Sequence, residues 1–164
     1  MEFFLREIEK ALECKLYYLA LTSVLTLPDI CGALQSDNGQ ATGARYKEWY
    51  KNYVQEPEDC ALSAEECYRF RCALVHQGKT HHDKSRFDKI MFLDPDIGLV
   101  MHNCIIDGVL DLDIVIFCNL MIAAVRKWET EMKDNLNFAK NYEKLIRVHP
   151  DGIPPYIVGA PVIG

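Results

Sequence analysis

The feature that most constrains the fold is one apolar segment, Ile114 to Val125, in which Asn119 is the only polar residue. The aspartates just before it, Asp111 and Asp113, can cap a helix because their side chains accept hydrogen bonds from its first free backbone N–H groups. A helix that is apolar on almost every side has to be surrounded by other elements. The sequence therefore predicts a central core helix over residues 115–125 in a helical domain.

Length and composition exclude several classes of protein. A chain of 164 residues suits one domain with an apolar core. The apolar segment of residues 114–125 is too short for a membrane span, which needs roughly 20 residues. The seven cysteines are scattered without a C-x-x-C pair, which predicts neither a zinc ribbon nor a disulfide framework. With no secretory leader in the MEFFLREIEK start, we expect a cytoplasmic protein that makes no membrane contact.

Helical periodicity and capping signals place the remaining helices. Apolar residues three and four apart predict a long amphipathic helix at the start of the chain. The clearest capping signal is Ser63-Ala-Glu-Glu66, which matches the capping box, while Gly78 supplies a left-handed stop. The predicted helices are Glu2 to Val24, Pro28 to Leu34, a helix capped by Thr42 with an aromatic stripe to Tyr53, Ala64 to about Gln77, and Asn137 to Val148.

Two regions have a different character. The β-prone runs Phe87 to Leu93 and Leu99 to Ile106 flank Asp94-Pro-Asp-Ile-Gly98, and this pattern predicts a small inserted β-hairpin at about residues 87–106. The last residues, 149–164, are apolar and rich in Pro and Gly, so we expect an extended tail that covers another surface. The prediction is thus a single helical domain, residues 1–148, followed by this tail.

The segment Arg71-Cys-Ala-Leu-Val-His76-Gln-Gly78 ends the capped helix with an Arg and a His in its last two turns. Basic residues are concentrated from Arg69 to Arg86, where Asp83 is the only acid. A basic patch in a chain of net charge −6 suggests an anionic ligand. Arg71 and His76 differ by about 140° around an ideal helix, but a long Arg side chain can swing toward the helix end and reach the imidazole.

This R-x4-H segment, followed by Gly in a helical chain, resembles the HEPN family (higher eukaryotes and prokaryotes nucleotide-binding domains). The resemblance implies a HEPN-like helical bundle that is often a homodimer, in which Arg71 and His76 face their copies across a two-fold axis. Many family members are metal-independent endoribonucleases that act as toxins or in antiviral defence. The resemblance therefore implies RNA or a nucleotide as ligand, an antitoxin as a further partner, and no metal or cofactor.

With the basic patch, the resemblance makes Arg71 and His76 the candidate catalytic residues and Arg69, Cys72 and Lys79 the candidate substrate-binding residues. Active family members commonly carry Asn, Asp or His directly after the Arg, where this chain has Cys72, and a thiol is a weak hydrogen-bond partner. Either the site tolerates the thiol, or the protein binds RNA or a nucleotide without cleaving it. A structural interaction module whose apolar tail mediates assembly is a further alternative. In a purely structural interpretation, Arg71 forms a salt bridge with Glu65 or Glu66 and His76 caps its helix.

Two other groups of residues are weaker metal-site candidates. His81-His82-Asp83 is more typical of a loop, because adjacent residues seldom bind one ion. His102 with Asp107, Asp111 and Asp113 has the composition of a metal-dependent nuclease site. Helix capping is the favoured interpretation of those aspartates.

Overall fold

The computed structural model describes residues 1–164 and is mainly α-helical, as predicted. Two short helical turns, Lys51–Gln55 (π) and Pro95–Ile97 (3-10), accompany the main elements. The six helices are α1 Glu2–Glu13, α2 Tyr17–Leu34, α3 Gly43–Tyr50, α4 Ala64–Gln77, α5 Ile114–Glu131 and α6 Leu136–Tyr142. The strands are β1 Lys89–Leu93, β2 Cys104–Ile106, β3 Val109–Asp113, β4 Val148–His149, β5 Gly152–Ile153, β6 Ile157–Val158 and β7 Val162–Ile163.

The first two helices divide differently from the prediction. The expected single helix over residues 2–24 is wrong. The first helix ends at Glu13, and Lys15 takes a left-handed backbone conformation with φ +57° that separates α1 from α2. The expected new start at Pro28 is also wrong, since α2 runs through it. A proline inside a helix removes one backbone hydrogen bond, at a cost of roughly 3 kcal/mol. Pro28 is buried together with Leu25, Leu27 and Cys31, and this packing offsets the loss.

The predicted core helix is confirmed as α5, and Asp113 caps it by accepting a hydrogen bond of 2.8 Å from the Ile116 backbone N–H. Its place at the centre is not confirmed. α2 is the helix that packs against all five others, whereas Asn119 and Ala123 of α5 face solvent. The core thus forms around α2. The predicted aromatic stripe packs into it, with Trp49 fully buried.

α4 matches its predicted bounds. The Ser63 hydroxyl accepts from the Glu66 backbone N–H, and Gly78 ends the helix in a left-handed conformation with φ +65°. The helix expected over residues 137–148 is shorter, because α6 ends at Tyr142 and the chain then turns into β4.

The predicted hairpin over residues 87–106 is wrong in its pairing. β1 and β2 do not pair with each other; β3 lies between them, parallel to β1 and antiparallel to β2. The tight turn is Asp107-Gly108, where both residues have positive φ, as a type I′ hairpin turn requires. The Asp94–Gly98 segment instead forms a 3-10 turn.

The tail pairs with itself. β4 pairs with β7 and β5 with β6, both antiparallel, so residues 148–163 form two nested two-stranded ladders. None of these residues joins the apolar core cluster, and Tyr156 is 85% exposed. The tail therefore consists of short strands joined by turns, and it contributes nothing to the apolar core cluster.

α2 is also the one helix whose length and mean hydropathy would allow it to cross a membrane. Half of its residues are packed inside the protein, as in the core helix of a helical bundle.

Candidate functional site at the end of α4

The site is built on the C-terminal end of α4, where Arg71 and His76 lie. After Gln77, the backbone N–H groups of Gly78 and Lys79 bond back to the carbonyls of Leu74 and Ala73. These bonds stop the helix sharply and leave His76 exposed in the last turn. The local sequence therefore determines both the position and the exposure of the imidazole.

The structure brings Arg71 and His76 together. Nη1 of Arg71 lies 2.8 Å from Nε2 of His76. A guanidinium can only donate, so Nε2 accepts and the imidazole carries its proton on Nδ1. The long arginine side chain extends along the helix to its C-terminal end. It therefore reaches the imidazole, although the two residues lie about 140° apart around the helix.

The third member of the site is Asp29 of α2, which the sequence reasoning missed. Its Oδ2 lies 2.6 Å from Nη2 of Arg71, and the two side chains are only 16% and 18% exposed. Burial raises the pKa of the Asp29 carboxyl, and the neighbouring Arg71 guanidinium opposes this shift. Asp29 is the only charged residue in an otherwise uncharged helix, and that isolation is the signal that could have identified it.

Arg71 is therefore held from two sides. One terminal nitrogen faces Asp29 and the other faces His76, while its Nε is buried without a hydrogen-bond partner. Burial acts to lower the pKa of Arg71, but Asp29 and the Cys72 thiol together outweigh it and the pKa is raised. The result is a permanently charged, oriented guanidinium beside an exposed, neutral imidazole.

The candidate substrate-binding residues are distributed around this centre. Cys72 is half-buried next to Arg71 along α4, and Lys79 is exposed just beyond the helix end with no ion-pair partner. Arg69 belongs to a different cluster. Its guanidinium pairs with Glu66 at 2.9 Å and with Glu65 at 3.3 Å, and it also donates to the Lys84 carbonyl.

Glu66 organises that second cluster at the N-terminal end of α4. It is 4% exposed, and its carboxylate accepts hydrogen bonds from the Ser85 hydroxyl and the Arg86 backbone N–H as well as from Arg69. In a capping box this carboxylate would reach back to the Ser63 N–H. Here it instead fastens the loop that leads into β1.

The two weaker candidates take local structural roles. The His82 Nδ1 accepts from the Lys84 backbone N–H, as expected of a loop, and the His102 Nδ1 accepts from the Asp113 backbone N–H. Burial lowers the pKa of His102. The structure contains no group of three or more His, Cys, Asp or Glu side chains that could hold a metal ion.

One face of α2 next to the site, here called the uncovered face, is left partly exposed by the rest of the chain: Tyr18 and Leu19 are exposed and its other residues are half-buried. Residues on this face fall within about 140° of each other around the helix. They are Tyr18, Leu19, Thr22, Ser23, Thr26, Asp29, Ile30 and Ala33. Asp29 is their only charge, and Arg71 neutralises it. A solvent-facing helix surface of this length normally carries charges, so this face has the character of a contact surface.

Comparison with protein-family models, with curated proteins and with solved structures finds no match.

Proposed function

We propose that this protein is a metal-independent endoribonuclease of a toxin or defence system, a HEPN-like homodimer that acts in the cytoplasm through paired Arg71 and His76. The observation that carries the proposal is the contact between an oriented guanidinium and an exposed neutral imidazole at one open helix end. An RNA phosphate requires positive charge, and attack on it requires a proton acceptor.

The chemistry uses only groups of RNA and of the protein. The ribose 2′-oxygen attacks the adjacent phosphorus as its proton passes to a neutral imidazole. The bond from phosphorus to the 5′-oxygen breaks, and a protonated imidazole gives that oxygen a proton. The products are a 2′,3′-cyclic phosphate and a 5′-hydroxyl, so neither water nor a metal ion enters this step.

The contact between Arg71 and His76 suits this reaction. In the free protein the Nε2 lone pair of His76 is occupied by the arginine. A substrate phosphate competes for the same guanidinium, because a charge-assisted hydrogen bond to phosphate is stronger than one to neutral imidazole. RNA binding then releases Nε2 to act as the proton acceptor, while Asp29 keeps the guanidinium in place.

A second copy of the chain completes the site. One His cannot be both proton acceptor and proton donor in the same step, so the donor is assigned to His76 of the partner subunit. The uncovered face of α2 supplies the contact, because its uncharged part, Tyr18 to Thr26, leads directly to Asp29. A two-fold axis through such a face brings two identical sites toward each other.

The test is cleavage of single-stranded RNA in EDTA by the purified full-length protein. We expect fragments with 2′,3′-cyclic phosphate and 5′-hydroxyl ends. Cleavage only after Mg²⁺ is restored would contradict the proposal.

Cys72 favours a second candidate, a protein that binds RNA or a nucleotide without cleaving it. If the wild type does not cleave RNA but retains phosphate-bearing ligands through Arg71, this candidate replaces the first. Cys72→Asn then becomes informative, since a polar amide next to Arg71 should restore cleavage. An inactive protein that also binds no such ligand would be the structural interaction module, for which the exposed tail around Tyr156 is the candidate contact.

A further inference from the structure

A cavity of about 320 Å³ lies at the C-terminal end of the uncovered α2 face. Ile30 and Ala33 form its floor, the loop at Asn38 to Gln40 forms one wall, and Asn141 to Leu145 form the other. Its volume is at the lower end of the range for small-molecule sites. Ala33 follows Asp29 by one helical turn, about 6 Å along the axis. The cavity thus adjoins the Arg71 site on the same face.

The loop wall of the cavity is fixed in place. Arg45 donates to Asn38 Oδ1 at 2.8 Å and to the Gln40 carbonyl at 2.7 Å, and it forms an ion pair with Asp37 at 3.0 Å. These contacts hold the loop away from α6, so the cavity is preformed.

Asn141 presents one fixed acceptor to this cavity. The residue is 7% exposed, and its Nδ2 donates to the carbonyls of Leu34 at 3.1 Å and Ser36 at 2.8 Å. These bonds determine which way the amide points, and Oδ1 accepts no hydrogen bond from the protein. A Cβ at Gly39 would lie 2.9 Å from Oδ1, so the glycine keeps this oxygen uncovered.

Lys144 adds a cation to the same wall. Its Nζ has no ion-pair or hydrogen-bond partner, and it follows Asn141 by three residues. Ile30, Ala33 and Leu145 supply apolar surface. A fitting ligand therefore combines a compact apolar body, an N–H donor for Asn141 and an anionic group for Lys144.

We infer that this cavity is a base-binding subsite for an adenine or cytosine nucleotide, with the exocyclic amino group of the base on Asn141 Oδ1 and a phosphate on Lys144. The inference rests on the proposed ribonuclease function and names the part of the RNA that the site selects. Adenine and cytosine present such an amino group on the edge where uracil presents a carbonyl oxygen. The subsite makes cleavage depend on the base near the cut phosphate.

The first experiment measures binding of adenosine 5′-monophosphate to the full-length protein by calorimetry. We expect saturable binding that weakens at least tenfold with N6,N6-dimethyladenosine 5′-monophosphate, which has lost both N–H donors, and with uridine 5′-monophosphate. Equal affinity for the three nucleotides, or no binding of the adenosine nucleotide at millimolar concentration, would overturn the inference.

Two pairs of variants, each a change in the cavity with a control outside it, locate the binding. Ala33→Leu fills the cavity and should abolish binding, whereas Ala123→Leu, at an exposed position of α5, should not change it. Lys144→Gln should weaken binding about tenfold, because a charge-assisted contact is lost, whereas Lys140→Gln should not. Thermal melts confirm that each variant is folded. Unchanged binding by Ala33→Leu would place the nucleotide elsewhere and contradict the subsite.

The same variants separate the subsite from the proposed function. If the nucleotide binds as described but the protein does not cleave RNA in EDTA, the ribonuclease proposal fails and the nucleotide site stands. If RNA is cleaved without preference for adenine or cytosine and Ala33→Leu cleaves normally, the subsite fails and the ribonuclease proposal stands. If the nucleotide competes with an RNA oligonucleotide for cleavage, the site serves the RNA chain; binding without competition would show a separate site for free nucleotides and contradict the inference.

Discussion

The two ends of α4 carry similar residues in different environments. At the N-terminal end, Glu66 is buried and its carboxylate is satisfied by Arg69, Ser85 and the Arg86 backbone. At the C-terminal end, Arg71 is oriented by Asp29, but its partner His76 is exposed and the arginine Nε has no acceptor. A fully satisfied cluster stabilises a fold, whereas an oriented but incompletely satisfied one is available for a ligand. The basic patch of residues 69–86 therefore has a structural part around Arg69 and a part around Arg71 and His76 that is available to a ligand.

The largest expected effect is the loss of RNA cleavage when the functional side chains at the C-terminal end of α4 are removed. Loss of a general acid or base costs about 10²–10⁴ in rate, and loss of a group that stabilises developing charge about 10²–10³. We therefore expect His76→Ala and Arg71→Ala each to lose RNA cleavage by at least a hundredfold at saturating RNA. Arg69→Ala, at the satisfied end, should lower the melting temperature with little change in kcat. An equal loss of kcat in Arg69→Ala would show that Arg69 also contacts RNA and would contradict the division.

The second-largest effect is expected from breaking the proposed dimer. It tests whether a second copy of the chain completes the site at Arg71 and His76. Thr22→Glu places charges on the uncovered α2 face, where two like carboxylates would meet in the dimer. We expect sedimentation to change from twice 18.8 kDa to 18.8 kDa, with cleavage lost in parallel. Thr130→Glu, an exposed threonine of α5, is the matched control and should leave both unchanged. A wild type that cleaves RNA as a monomer would remove the composite site.

The third effect is expected at the N-terminal end of α4, where removal of the Glu66 carboxylate should lower the free energy of unfolding. Glu66→Ala leaves the part-buried donors of Arg69, Ser85 and the Arg86 backbone without their acceptor, and such losses cost about 1–3 kcal/mol. Its neighbour Glu65 is exposed, so Glu65→Ala should cost less than about 1 kcal/mol. Denaturant unfolding measures both. Similar values for the two variants would mean that the Glu66 cluster does not hold the loop before β1.

The smallest expected effect is on the pH dependence of folding stability. It tests whether the stability of the fold and the cleavage activity at Arg71 and His76 are independent of each other. Burial lowers the pKa of His102, and its Nδ1 accepts from the Asp113 N–H at the start of α5. The folded protein therefore binds this proton less readily than the unfolded chain. The stabilisation is complete above the ordinary imidazole pKa of about 6.5 and is lost as the pH falls through the lowered value.

His102→Asn keeps an acceptor for the Asp113 N–H and removes the titration. Its melting temperature should vary less between pH 7 and pH 5 than that of the wild type. Cleavage should keep the same pH profile in both proteins while they remain folded, because His76 belongs to the other site. A cleavage profile that moves with His102→Asn would link the two sites and contradict their separation.

Local signals in the sequence determined much of this protein. The caps of α4 and α5 follow from Ser63, Gly78 and Asp113, because a cap depends only on the backbone groups of its own helix end. The approach of Arg71 to His76 follows from side-chain length and helix geometry. The Asp107-Gly108 turn was also present as a signal, since that dipeptide suits a type I′ turn, and it would have given the correct strand pairing.

Tertiary structure alone decided what each charged group faces. Asp29 meets Arg71 because α2 packs against α4, and nothing local to either segment relates two residues so far apart in sequence. The same packing carries α2 through Pro28, because burial of the surrounding residues outweighs a missing hydrogen bond that an isolated helix could not tolerate. Asn141 likewise reaches the end of α2 only in the folded chain, where its amide satisfies carbonyls that the helix leaves free. Sequence fixes local geometry through short-range sterics and backbone hydrogen bonds, while the partners of buried polar groups depend on which helices the core brings together.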